Sequence, residues 1–244
     1  MESMKQARKN EAGGVLIIIL VAVALFAALS YTVSSMMRSG SPDHISVEKS
    51  KLSGSQMLDF GRQVRRVIQD LRISNGCTTE EISFTSESGD DYEHTPAAAD
   101  TCKVFHSDGG AISYLPPVKE WLAKISPAPA LQGTWYFPAN VCAEDVGSGA
   151  AGCGSDGTDN EDVIMILPYI SEQICEQINK QLGLTAIPTE TGDAWPSGGD
   201  AYVGSFANDT ELNQGGRQQG CFQGSGSNTP PSGTYHFYQV LVPR

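Results

Sequence analysis

The sequence predicts an α+β protein. A long N-terminal helix, membrane-spanning in its first half and amphipathic in its second, packs on an antiparallel β-sheet, and disulfides staple the whole. Three observations carry this prediction. Residues 15–29 are fifteen consecutive apolar residues with no Gly, Pro or charge. Met57, Phe60, Val64, Ile68 and Leu71 then recur at steps of three and four, the spacing of one helix face. From residue 77 on the chain changes to short alternating or apolar runs between Gly- and Pro-rich stretches, and all six cysteines lie there.

The apolar stretch comes first in the chain. Through Val33 it reaches twenty-one mostly apolar residues. A helix of that length covers about 30 Å, the thickness of bilayer hydrocarbon. The expected organisation is a short basic leader at 1–14, a transmembrane helix at 15–35, a linker and amphipathic helix at 36–76, and an extracytoplasmic α+β head at 77–244.

Net charge is −12, and the excess of acid follows the apolar stretch, because residues 1–14 set Lys5, Arg8 and Lys9 against Glu2 and Glu11. An acidic head is a poor partner for nucleic acid, which binds clustered Lys and Arg. The 26 Gly and 13 Pro imply many turns and long loops.

Cys77, Cys102, Cys142, Cys153, Cys175 and Cys221 are even in number, dispersed, and without a C-x-x-C pair. That pattern reads as disulfides rather than zinc. The expected pairing is sequential: Cys77–Cys102, Cys142–Cys153 and Cys175–Cys221. Disulfides would place the head on the oxidising side of a membrane.

Three readings of residues 1–33 compete. One is a cleaved secretory signal, with Ala28-Leu29-Ser30 before the cut. Another is an uncleaved anchor with its basic tail in the cytoplasm. In the third, a short basic leader, Gly13-Gly14 and an apolar helix directly after resemble the leader and processing site of type IV pilin-like and pseudopilin-like proteins.

The resemblance covers residues 1–75 and implies cleavage after Gly13, leaving the helix as a membrane stem and later as filament core. It implies membrane lipid as a partner, and self or related subunits through that helix. The implied place is a bacterial inner membrane with the head in the periplasm or at the cell surface, or an extracellular filament. Where the family usually carries Glu at the fifth mature position, this chain has Ile18. That departure implies a minor or tip-like subunit, or an unrelated anchor. Ala24, Ala28 and Thr32 recur every four residues as a small-residue stripe of the kind that lets helices approach in lipid.

The remaining elements follow in order. Gly40 and Pro42 end or kink the first helix. The amphipathic helix runs from Met57 to the Asn75-Gly76 stop signal, with Arg62, Arg65 and Arg66 on its polar face. A strand is expected at 81–86, and a hairpin at 102–115 around the turn Ser107-Asp108-Gly109-Gly110. A short helix at 118–125 and a strand at 133–141 come next. Residues 162–167 form a central apolar strand. Ser171 caps a helix that buries Ile174, Ile178 and Leu182 and stops at Gly183. Residues 188–233 are poor in regular structure apart from a strand at 201–206, and 235–242 is a strand inside the sheet.

No catalytic constellation emerges. His44, His94, His106 and His236 are scattered and fit no metal pattern, and no nucleophile elbow, phosphate loop or dinucleotide fingerprint is present. No cofactor is expected, and the chain reads as a non-enzyme. Asp156, Asp159, Asn160 and Asp162 crowd oxygen ligands that calcium accepts, without EF-hand spacing. Trp135-Tyr136-Phe137 is expected in the core, and Trp195 at the surface. The leading functional expectation is a structural filament or secretion-apparatus subunit. The alternative is a non-polymerising anchored binding protein.

Overall fold

The computed structural model describes residues 7–38, 42–85, 92, 94, 96–147, 161–190, 202–206, 210–226 and 230–244. The chain divides into two units between Glu48 and Lys49. The first holds helix α1, Ala7–Arg38. The second mixes helix and sheet and opens with most of helix α2, Pro42–Ser74.

Helix α2 starts at Pro42, ahead of the apolar spacing, and proline suits a first helical position because no intrahelical partner awaits its missing N–H. Met57, Phe60, Val64, Ile68 and Leu71 are all buried, joined by Leu58 and Val67. Gly54 and Gly61 lie on the packed side as well. A Cβ at Gly54 would meet Ile178 Cγ1 at 3.1 Å, and one at Gly61 would meet Gln239 Cγ at 3.2 Å. A mid-helix glycine costs about 0.5–1 kcal/mol relative to alanine. Here the two glycines let the helix backbone lie close against its neighbours. The helix ends where Gly76 turns to φ +70° and Cys77 N–H donates to Leu71 O at 3.3 Å.

Four strands make the main sheet in the order β2-β6-β5-β3. They are β2 Val163–Ile170, β6 Tyr235–Val242, β5 Gln219–Gly224 and β3 Thr189–Glu190. A separate two-stranded ribbon pairs β1, Val141–Ala143, with β4, Thr210–Leu212. Strand β6 is antiparallel to both β2 and β5, but β3 runs parallel to β5, and β1 runs parallel to β4. The expectation of an antiparallel sheet is therefore corrected to a mixed one. Each parallel partner is only two or three residues long, too short to show its direction in a hydrophobic pattern. Each pair is joined by a long connection, which parallel pairing requires.

Every residue of β2 is buried, because both faces of the sheet are covered. Met165, Leu167, Phe237 and Leu241 face a core shared with α2 and with helix α3, Glu172–Gln181. Ile164, Ile166, Tyr238 and Val240 face a second core with Val141, Ala143 and Leu212 of the ribbon. An unbroken apolar run is what two-sided burial demands. Strand β6 is paired on both sides, as its apolar content predicts. Strand β2 ends the ladder rather than lying at its centre. Its outer edge is covered where Tyr136 and Ile166 exchange backbone hydrogen bonds of 2.9 and 2.8 Å.

Helix α3 follows its sequence signals. Ser171 Oγ accepts from Ile174 N–H at 3.4 Å, Ile174 and Ile178 are buried, Leu182 is half-buried against the core, and Gly183 takes φ +80°. The hairpin expected at 102–115 does not form. Val104 and Phe105 are consecutive and both buried, so that stretch has no outer face. Instead, Gly110 N–H donates to Lys103 O at 2.8 Å and Ala111 N–H to His106 O at 2.9 Å, closing a compact loop. A Cβ at Gly110 would lie 2.3 Å from Val104 O and 2.4 Å from Val67 Cγ1.

Five other expectations change. Residues 133–141 are not a strand: Tyr136 makes one bridge to Ile166, and only Val141 joins a ladder, as the first residue of β1. In place of a strand at 81–86, Ser83 makes one bridge to Lys103, with residue 86 outside the described residues. Residues 118–125 hold a single 3₁₀ turn, Lys119–Trp121, and the described residues 202–206 are not a strand. Strands β3, β4 and β5 all lie within 188–233, which is more regular than its composition implies. The irregular segments are held by aromatic packing rather than ladders. Phe84 stacks on Phe137 with ring centroids 4.0 Å apart, and Tyr92 Oη donates to Trp135 O at 2.7 Å.

Candidate functional site

One helix among the described residues is long and apolar enough to cross a membrane: Gly14–Thr32 within α1. None of that span is buried, and Ile18 and Phe26 are 70% and 75% exposed. A globular helix in water carries one apolar stripe, whereas this one is apolar all round, a composition shared by membrane spans and secretion signals. Thr32, the polar member of the small-residue stripe, donates its hydroxyl back to Leu29 O at 2.8 Å, which satisfies it locally. Helix α1 runs through Gly13 and Gly14 without interruption.

Two expected cysteine pairs stand at disulfide geometry. Cys77 and Cys102 have Cα atoms 5.9 Å apart and join the end of α2 to the 3₁₀ turn Asp100–Cys102. Cys175 and Cys221, with Cα atoms 5.3 Å apart and no exposure, join α3 to β5. The third expected pair, Cys142–Cys153, cannot be drawn from the described residues, because Cys153 lies outside them.

Of the four oxygen-bearing residues considered for calcium, Asp156, Asp159 and Asn160 lie outside the described residues. Asp162 is fully buried. Its Oδ2 accepts from Ala143 N–H and its Oδ1 from Arg244 N–H, both at 2.8 Å. Burial pushes its carboxyl up to about 6, against the pull of those two donors. Its oxygens thus hold backbone in place.

His94, His106 and His236 stand in three different settings. His94 packs its ring against Tyr202. His236 is buried; its Nδ1 accepts from Tyr169 N–H at 3.2 Å, and its Nε2 pairs with Thr234 Oγ1 at 2.6 Å. Burial holds its imidazole down at about 3, so it is neutral near pH 7. Tyr169 adopts φ +56° at a bulge in β2, and the imidazole supplies an acceptor that the interrupted ladder does not. His106 has ligand atoms within 4.8 Å of those of Asp100 and Asp108. Asp100 is already paired with Lys103 at 2.6 Å, which holds its carboxyl below the ordinary range.

Trp135 and Phe137 are fully buried, as expected, but Tyr136 between them is only half-buried; Trp135 Nε1 donates to Leu115 O at 2.7 Å. Trp195 lies outside the described residues. The basic face of α2 is solvent-exposed, with a polar partner near each of Arg62, Arg65 and Arg66. Arg62 pairs with Asp59 at 3.5 Å, and Arg66 stands 3.9 Å from Asp70. Arg65 Nη1 donates to Gln218 Oε1 across an open cleft, on whose far side are Arg217 and Gln239. Sequence reasoning missed those two partners, because more than 150 residues separate them from the α2 arginines and neither belongs to a motif.

Comparison with models of known protein families, with curated proteins and with solved structures finds no match.

Proposed function

We propose that the chain is a structural subunit of a bacterial surface filament or secretion apparatus, pilin-like or pseudopilin-like and minor in kind. It acts by contact rather than by catalysis. In this reading α1 is held in the inner membrane, and the head lies in the periplasm or at the cell surface. Its partners are membrane lipid and, through α1, copies of itself or related subunits.

The observation that carries the reading is the Gly14–Thr32 span, apolar on every side and unburied, opening at the Gly13-Gly14 pair and followed by an amphipathic helix within a disulfide-bonded α+β unit. The cysteine pairs support an oxidising compartment for the head. Ile18 supports a minor or tip position over a major subunit. It equally supports a second reading, an anchored binding protein that never polymerises.

One experiment separates these readings. The protein is purified from membranes, its N-terminus is sequenced, and sheared surface fractions are examined by negative-stain microscopy. A start at Gly14 together with filaments containing the chain is the expected outcome. An intact Met1 without filaments selects the plain anchor. A start near Tyr31 makes the protein secreted and overturns both.

A further inference from the structure

The cleft between α2 and the β5–β6 edge has a volume of about 450 Å³, within the range of small-ligand sites. Arg62, Arg65, Arg66 and Arg217 line it; no carboxylate is among its described lining residues, although Asp59 stands 3.5 Å from Arg62 and Asp70 3.9 Å from Arg66. The chain as a whole carries 28 acidic against 16 basic residues, so four guanidinium groups at one cleft run against its composition. Guanidinium groups stay charged at any physiological pH and grip carboxylates and phosphates in bidentate fashion.

A second set of observations concerns acceptors. Gln239 is 1% exposed, and its Nε2 donates to Gln218 O at 3.1 Å and Val240 O at 3.0 Å. Both partners are carbonyls, so the orientation of the amide is fixed. Its Oε1 is then buried with no hydrogen-bond partner among the described residues, and the same holds for Gln219 Oε1 and Arg217 Nε. Three orphaned polar atoms, two acceptors and one donor, thus belong to residues lining one cleft. Gly61 lies against this side chain: a Cβ there would come 3.4 Å from Gln239 Oε1.

A simple anion satisfies the arginines and leaves the amide oxygens unmet, because ionised carboxylates carry no donor. A cationic donor is repelled by the net positive charge, four guanidinium groups against the two carboxylates beside Arg62 and Arg66. What answers both halves is a ligand with an anionic group and neutral O–H donors. We propose that this cleft binds an acidic sugar, a unit bearing one carboxylate or phosphate together with hydroxyls. The arginines hold the anion, and Gln219 and Gln239 accept from the hydroxyls.

The test is calorimetric titration of the full chain in detergent micelles with four probes: digalacturonate, glucose 1-phosphate, maltose and succinate. The two acidic sugars are expected to bind at least about tenfold more tightly than neutral maltose or hydroxyl-free succinate, and more weakly as salt is raised. Arg62→Gln and Arg66→Gln change exposed side chains that the fold does not need, and each is expected to weaken digalacturonate several-fold. Equal binding of succinate, equal binding of maltose, indifference to both substitutions, or no binding of either acidic sugar below about 10 mM overturns the proposal. So does a change of oligomeric state in Arg66→Gln with no probe bound, which would assign the arginines to an acidic face of a second copy.

Discussion

Asn179 holds Cys221 by both of its backbone groups. Its Nδ2 donates to Cys221 O at 2.8 Å, and Cys221 N–H donates to its Oδ1 at 3.0 Å. At this point β5 turns both groups away from β6, and β3 pairs with β5 only at Gln223 and Gly224. The amide of an α3 side chain therefore stands where another strand would, and covers an edge that is otherwise open. Asn179→Ala would leave a buried donor and a buried acceptor unmet. It is expected to lower stability by about 2–4 kcal/mol, measured as a shift of the urea midpoint at unchanged slope. A loss below about 0.5 kcal/mol would show that water replaces the clasp without cost.

The same strand is tied by a disulfide. Cys175–Cys221 closes 46 residues and Cys77–Cys102 closes 25. Loop entropy assigns them about 4 and 3.5 kcal/mol respectively. Removing the first pair as a double alanine variant also empties two fully buried positions, so it is expected to depress the melting temperature more than removing the second. The reverse order in non-reducing thermal melts would contradict this.

His236 and Asp162 pull stability in opposite directions with pH. Burial lowers the imidazole from 6.5 to about 3, so between those values the unfolded chain binds the extra proton and stability falls as pH falls. Burial raises the Asp162 carboxyl from 3.8 to about 6, so in that window the folded chain binds the extra proton and stability rises as pH falls. Their slopes, each at most about 1.4 kcal/mol per pH unit, oppose one another between pH 3.8 and 6. Denaturation at stepped pH checks this through variants. Relative to the parent, Asp162→Asn is expected to lose stability more steeply on acidification through that window, and His236→Gln less steeply.

Gly110 and Gly76 separate crowding from backbone conformation. A Cβ at Gly110 collides with Val104 O and Val67, whereas Gly76 has φ +70° and open space around it. Gly110→Ala is expected to cost about 2 kcal/mol or more, and Gly76→Ala about 1 kcal/mol, read from chemical denaturation.

Helix α1 can be tested by charge. Val21→Arg combined with Leu25→Arg places two guanidinium groups near the middle of the Gly14–Thr32 span. Each costs about 2.5–3.5 kcal/mol at a helix centre in lipid. The double variant is expected to leave the carbonate-resistant membrane fraction, where the parent chain should be found. A parent already in the soluble fraction would refute the anchor.

Elements whose residues repeat at a clear period were legible. The α2 face from Met57 to Leu71, the Ser171 cap of α3 and the apolar β6 strand all follow their patterns, because burial on one side imposes that period. The segment at 102–115 was not legible. Val104 and Phe105 are buried side by side, and the two glycines serve close backbone approach instead of a hairpin turn. The parallel direction of β3 and β1 has no sequence signal at two or three residues. The arginine-lined cleft was half visible: the α2 arginines stood out as a cluster, but Arg217 and Gln239 reach it only through the sheet topology.

The inner place of β6 bears on how the head matures. Ribosomes deliver residues 235–242 after all the other described strands, yet both β2 and β5 need them as a neighbour. A head threaded through an export channel would emerge with its sheet unfinished while Cys142, Cys153 and Cys175 are already exposed to oxidants. Mispaired intermediates among these thiols would have to be reshuffled before Cys221 finds its mate, so the yield of correctly oxidised protein should depend on a disulfide isomerase.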